Sequence, residues 1–481
     1  MATFEEKSFA RSLWLASGLP SDVLSHLKLS EKPDPSVDSS FRIGTAAQTT
    51  IGLAGLSAAH FHDLRTGVNQ NVVVDARHAT LEFSSEMWYT VNGELPTGFW
   101  DTIAVGFVIF FETLIVLFFT AFRFGSHRQG ILDILKCEPT RESVQKALLR
   151  WNAVDFETTA ASHMMCATAF RSFEEWDHHP QGIATANSLP ISLIKIGEAP
   201  KRPFDGSYRH PLESIRVLDL TRVLAGPVCG RTLAAYGADV LLVTSPNLPD
   251  LPLLDIETSR GKRTTQLDLT LSSYRETLAS LAKDADVFLQ AYRPGGLCEK
   301  GFGPEDLAKE KPGIVYAGLT AYGWQGPWKD RRGFDSLGVE TPLLPKPLPM
   351  QALDHAAGYL LAFGINAALC KTVTEGGSWE VRVSLAAVGQ WIRSLGRLSP
   401  QVAFGEGKPL PPRILPQDPE VAALAVTLLQ AKGDKEDSNE GKSLKSMTAI
   451  RHAAVLDKTP AREIEAPMAL NVHTASWLPR K

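Results

Sequence analysis

The octapeptide Gln351–Gly358, QALDHAAG, sets one carboxylate, Asp354, at the head of a run of small apolar residues, Ala356–Ala368, that reads as a helix. At a helix N-terminus a carboxylate meets unpaired amide protons and the positive end of the helix dipole, which keep it ionised and aim it. An ordinary helix cap has the same signature, so position alone allows a reactive anion or a structural one. Three cations fall within four residues at Arg260, Lys262 and Arg263, and Tyr292 is followed by Arg293. Exposed basic side chains on loops are mostly solvated. His178 and His179 adjoin in SFEEWDHHPQ, a weak pattern for a metal and an ordinary one for a solvated pair. Cys137, Cys166, Cys229, Cys298 and Cys370 lie far apart and form no CxxC. That spacing suggests neither a zinc site nor a disulfide framework, and it fits a reducing compartment.

The elements that must position these residues centre on Arg216–Pro246, RVLDLTRVLAGPVCGRTLAAYGADVLLVTSP. Val217, Leu218 and Leu220 read as a strand. Ala225, Gly226 and Pro227 break the chain, Val228–Tyr236 reads as a helix, and Gly237 ends it where a positive φ is usual. Ala238–Thr244 is a second buried strand. Strand, turn, helix, strand is a right-handed βαβ unit and implies a parallel sheet. Gly226 with Pro227 is neither a GxGxxG nor a P-loop, so spacing alone gives a fold and no ligand.

A chain of 481 residues with 44% hydrophobic and 21% charged residues has the composition of a packed globular protein with two or three domains. A net charge of −4 and no basic stripe argue against a nucleic-acid partner. The N-terminus has early acids and no apolar core, unlike a signal peptide, and Leu478–Lys481 matches no sorting signal. A cytoplasmic location is expected, with mitochondrial and membrane-associated ones open.

One pattern recurs. Thr45–Arg65, the turn Thr66–Gln70, the strand Asn71–Asp75 and a helix from His78 match Tyr359–Lys371, the turn Thr374–Ser378, the strand Glu380–Ser384 and a helix through Trp391. Val72 against Val381 sets them about 309 residues apart, so the chain reads as a partial internal duplication. Ile103–Phe122 is anomalous: about 20 apolar residues around one charge, Glu112, long enough to span a bilayer. A buried helix and an aberrant insert compete with a span, and only a true span implies a membrane. The expected division is 1–199 as an N-terminal lobe, 200–211 as a linker, 212–400 as a Rossmann-like domain, 401–443 as a flexible Pro-rich and charged linker, and 444–481 as a C-terminal tail.

The wording of Arg216–Val243 resembles the opening of the family III coenzyme A transferases, whose relatives include the α-methylacyl-CoA racemases. Arg260–Leu269, Ala285–Gly301 and Gly313–Trp328 continue the resemblance in register, to about Gly396. It implies an α/β fold, a Rossmann-like parallel sheet with flanking helices plus a smaller α+β lobe. It implies transfer of CoA from an acyl-CoA thioester to an organic acid through aspartyl anhydride and thioester intermediates. Neither a metal nor a permanently bound cofactor is needed; coenzyme A enters as substrate. Asp354 matches the family's nucleophile. Val223, Leu224 and Ala225 match the loop over the pantetheine, and Tyr292 and Arg293 the stretch near the adenine. Thr244–Ser245 stands where the family often has Glu-Arg, so Arg260, Lys262 and Arg263 are the candidates for the phosphates. The racemase branch has a His where Phe334 stands here, and Phe cannot move a proton; His355, adjacent to Asp354 on a helix, points away from it. Gly338–Met350 is short and Pro-rich where the family has a longer glycine-rich lid, which favours a degenerate CoA-binding protein as a further alternative. Family members form interlocked dimers; the duplication leaves monomer and homodimer both open.

Overall fold

Six runs of mostly buried residues form the centre of the molecule. The computed structural model describes residues 4–96, 125–203, 207–293, 295–335, 348–435 and 444–480, with short strands at Phe107–Val108, Ile115–Leu117, Val339–Glu340 and Lys346–Pro347. Strands Arg216–Leu220, Asp239–Thr244, Arg263–Gln266, Val287–Gln290, Val315–Thr320 and Ser378–Ser384 lie parallel. Numbered in chain order, they stand 3-2-1-4-5-6 across the sheet. Every residue of Val287–Gln290 and Val315–Thr320 is buried, as parallel strands covered on both faces must be. Ile191–Gly197 adds an antiparallel edge strand beside Ser378–Ser384. The sheet thus draws a strand from the stretch expected to be N-terminal lobe, so 1–199 is not a self-contained unit.

The helix after the first strand runs Ala225–Ala235, starting before the expected Val228. Pro227 is tolerated because amides of a first helical turn lack intrahelical partners. Gly226 is there for closeness: a Cβ on it would sit 2.6 Å from Thr221 Cβ and 3.0 Å from Ala291 Cβ. The chain turns instead at Thr221–Leu224. Gly237 has φ +106° and ends the helix as expected.

The two copies of the expected repeat have matching elements in the structure. Helix Ile43–Thr66 matches helix Ala352–Thr374, 309 positions on, and the two pack together in the interior. Gly67 and Gly376 both have positive φ near the helix ends. Val72–Val74 matches the centre of Ser378–Ser384. Asp75 and Ser384 both cap the next helix, accepting the amide protons of His78 and Ala387. Ala352–Thr374 is long and apolar enough to cross a membrane, yet it is the buried core helix here.

The C-terminal residues close the fold. Ala454–Leu456 pairs antiparallel with Val72–Val74, whose other edge holds Leu27–Leu29. Of the stretch expected to be a flexible linker, 401–435 is structured: helix Pro419–Leu424 leads into strand Ala425–Leu429, which pairs with Ser446–Ile450. Arg77 holds Glu420 there at 2.8 Å, and apolar Val421 is buried. Residues 436–443 lie outside the described residues. The described residues of the linker 200–211 are also tied down, with Arg202 on Asp286 at 2.8 Å and Tyr208 under the Arg65 guanidinium. The apolar segment Ile103–Phe122 lies outside the described residues except for its two short strands, which pair with each other.

A fully buried ionic cluster joins the parts. Arg231 of helix Ala225–Ala235 meets Glu257, Glu82 at 3.5 Å and the Tyr359 hydroxyl at 2.9 Å. Glu82 also faces His452 at 2.9 Å. Burial pushes Glu82 up, but His452 and Arg231 outweigh it and hold the carboxyl well below its usual range.

Candidate active site

In a doubly wound sheet, ligands bind beyond the carboxyl ends of the strands where the strand order reverses. Here the reversal lies between Arg216–Leu220 and Val287–Gln290, which are hydrogen-bonded neighbours. The loops leaving their carboxyl ends, from Thr221 and from Ala291, line a cavity of about 340 Å³. Its walls are Arg222–Gly226, Leu248–Pro249, Ala291–Arg293, Leu319–Ala321, Arg331–Phe334, Asp354 and Leu385. Val223 holds φ +73°. A β-branched residue in that region is a genuine outlier, costing about 1–3 kcal/mol, and such strain gathers at functional sites.

Asp354 is the third residue of the core helix, which starts at Ala352 and not beyond the aspartate. It does not cap the helix. Asp335 does, its Oδ2 accepting the amide protons of Leu353 at 2.7 Å and Asp354 at 3.0 Å. The structural explanation for Asp354 therefore falls to another residue. Asp354 is 7% exposed and Asp335 2%. Burial, then the Asp335 charge, then the Glu86 charge push the Asp354 carboxyl well above its ordinary range. This reverses the expectation of an aspartate kept ionised: the amides that would have done so are bonded to Asp335. Burial also raises Asp335, against the two amide bonds and the nearby His355. His355 Nε2 lies 3.0 Å from Glu86 Oε2 and its ring stacks on Phe83, so it is engaged by those two residues.

Asp354, Val223, Leu224, Ala225, Tyr292 and Arg293 all border this one cavity. Burial raises the Tyr292 phenol to about 12, so it enters as a neutral hydroxyl. The three cations expected near phosphates do not come to the cavity. Lys262 is 2% exposed, its ammonium on Asp219 at 2.8 Å and the Pro227 carbonyl at 2.9 Å. Arg260 is buried on Glu257 at 2.8 Å and the Ile450 carbonyl at 2.9 Å. Arg263 faces the C-terminal tail, donating to the Ser476 carbonyl at 2.7 Å. A cation beside a strand end reads alike in sequence whether it serves a ligand or a buried carboxylate. The cavity's positive charge comes instead from Arg222, Arg293, Arg331 and Arg332. Arg331 lies over the Trp328 ring, 4.6 Å from its centre. Phe334 stands on the cavity wall. His179 is stacked on Trp176 and lies tilted against Trp328, and is not simply solvated. Among the described residues no group of three or more His, Cys, Asp or Glu is placed to hold a metal.

The family model "CoA-transferase family III" matches residues 212–395. A "Probable fatty acyl-CoA transferase" of Mycobacterium tuberculosis is 35% identical over 226 residues, 42% of this chain and 57% of that protein. An "Acetyl-coenzyme A transferase" of Hypoxylon pulicicidum is 35% identical over 210 residues, 40% of this chain and 35% of that protein. The mouse succinyl-CoA:glutarate CoA-transferase is 37% identical over 139 residues, 26% of this chain and 32% of that protein. The chain thus spans about a third to just over half the length of these relatives. A crystal structure of the mycobacterial protein aligns with 39% of this chain and 59% of that one at 35% identity, with a TM-score of 0.36. The residues matched by the CoA-transferase family III model, 212–395, carry the parallel sheet, the strained Val223 loop and Asp354.

Proposed function

We propose that this chain moves coenzyme A from an acyl-CoA thioester to a carboxylic acid, with Asp354 as the nucleophile. The observation that carries this reading is the placement of a non-capping, buried carboxyl in the cavity at the strand-order reversal, beside Val223–Ala225 and Tyr292–Arg293. The carboxylate of Asp354 attacks the thioester carbonyl; the C–S bond breaks and CoA leaves as the thiolate. The thiolate attacks the Asp354 carbonyl of the resulting anhydride, releasing the donor acid and forming an aspartyl-CoA thioester. An acceptor carboxylate attacks that thioester, expels the thiolate and forms a second anhydride. The thiolate takes the new acyl group and Asp354 returns as a carboxylate. One thioester replaces another, so the exchange is nearly thermoneutral. Arginines at the cavity fit the anionic groups of both substrates. Phe334 supplies no proton, which disfavours the racemase alternative.

The test is incubation with a panel of acyl-CoA thioesters without acceptor, followed by peptide mass spectrometry. A hydroxylamine-sensitive adduct on the Asp354 peptide is expected, with none in Asp354→Thr. Threonine is the choice because Thr45 fills the matching position of the other repeat helix. CoA binding with no adduct from any donor would replace this reading with a non-catalytic CoA binder.

A further inference from the structure

The repeat allows one chain to be compared with itself. Each long helix opens against a carboxylate from the preceding loop. In the N-terminal copy, Asp34 Oδ1 accepts the amide protons of Gly44 at 2.8 Å and Thr45 at 3.4 Å, and Asp34 Oδ2 accepts the Thr45 hydroxyl at 2.5 Å. In the second copy, Asp335 Oδ2 accepts the amide protons of Leu353 and Asp354. Gly44 and Leu353 are both second residues of their helices; Thr45 and Asp354 are both third. The anchor is common to both copies, and what differs is the side chain beside it. A hydroxyl can rest against a carboxylate anchor as a donor. A carboxyl can do so only while it keeps its proton, because two buried negative charges repel strongly in a low-dielectric interior.

We propose that Asp335 is the positioning residue of this site: it seats the first turn of the core helix through two amide bonds and sets a second buried carboxyl beside Asp354. This rests on the reading of Asp354 as the reacting carboxyl. Glu86, from the N-terminal part of the chain, and His355 complete the ionisable surroundings on the helix side. Arg222, Tyr292, Arg293, Arg331 and Arg332 face the same cavity from the loops. Asp335 is therefore a carboxylate with two functions, one supplied by its oxygen as an acceptor and one by its charge.

Substitution separates the two. Asp335→Asn keeps a carbonyl oxygen for both amides and removes the charge; Asp335→Ala removes both. The Asp354 carboxyl is titrated by isotope-edited infrared spectroscopy on protein labelled at aspartate, its band assigned by its loss in Asp354→Thr. Asp335→Asn is expected to lower the Asp354 midpoint by about one pH unit or more, equivalent to about a tenfold change in ionisation constant. The acid limb of single-turnover acylation moves with it. Asp335→Ala is expected to lose acylation rate at every pH and to melt at a lower temperature than Asp335→Asn. An Asp354 midpoint unmoved in Asp335→Asn would overturn the proposal, because a merely structural Asp335 changes stability and leaves that midpoint in place. The titration uses no acyl donor, so a wild-type protein that forms no adduct refutes the transferase reading by a separate measurement.

Discussion

Asp354 carries opposite demands. The proposed chemistry needs the anion, while burial and the charges of Asp335 and Glu86 favour the neutral acid. Raising the pH restores the nucleophile, so single-turnover acylation is expected to fall as pH drops through a midpoint well above the ordinary carboxylate range. A rate–pH profile from pH 5 to 9 checks this. The same shift predicts a stability effect. A carboxyl whose folded-state pKa exceeds its unfolded value destabilises the fold above the unfolded pKa, increasingly up to the folded one. Asp354→Thr is therefore expected to stabilise the protein near pH 8, with the gain shrinking toward pH 4. Denaturant melts at the two pH values test it. Asp354 was legible in the sequence through the family resemblance, because its position before a small-residue helix fits an ordinary cap as well. Asp335 was not, because its partners lie 18 and 19 residues away across a loop with no periodicity. Glu86 reaches His355 across 269 residues, beyond any local pattern.

At the scale of elements, close approach of two helices sets the floor of the cavity. A Cβ on Gly358 would lie 2.6 Å from the Ala225 carbonyl oxygen and 2.9 Å from Val228 Cβ. Backbone cannot swing aside as a side chain does. Gly358→Ala is expected to cost about 1–3 kcal/mol and to lower acylation, since Ala225 borders the cavity. Gly405→Ala, where a Cβ meets open space, is the control and is expected to leave both unchanged. Denaturation and adduct yield, measured together, decide it. The strands and the repeat were readable because buried parallel strands are continuously apolar and the turn glycines recur at a fixed offset. The helix starts were not. Gly226-Pro227 reads as a breaker, yet these residues fit a first turn whose amides are free and whose neighbours are close. Likewise the Pro-rich stretch after residue 400 reads as a linker, while its ordering comes from long-range partners such as Arg77.

For the molecule as a whole, Arg231 is the junction. Replacing it by Met would leave Glu82 and Glu257 with fewer positive partners inside the protein. A loss of about 3–5 kcal/mol is expected in denaturant melts, because breaking a buried ion pair strands its partner. The wild-type cluster also predicts acid sensitivity. Glu82 and Glu257 both lie below their ordinary range, with their cationic partners outweighing burial. Their stabilisation is present above the unfolded carboxylate pKa and is lost as pH falls through the folded values. The acid-unfolding midpoint of Arg231→Met should lie at higher pH than that of the wild type.

The strand Ala454–Leu456, which closes on Val72–Val74, has a consequence for biosynthesis. A ribosome reaches Leu456 several hundred residues after Val74, on the order of half a minute at ordinary elongation speeds. Throughout that interval Val72–Val74 has one open edge, and Glu82 lacks His452. The first repeat therefore waits on the nascent chain for its last partner, and its maturation is gated by the synthesis of Ala454–Leu456.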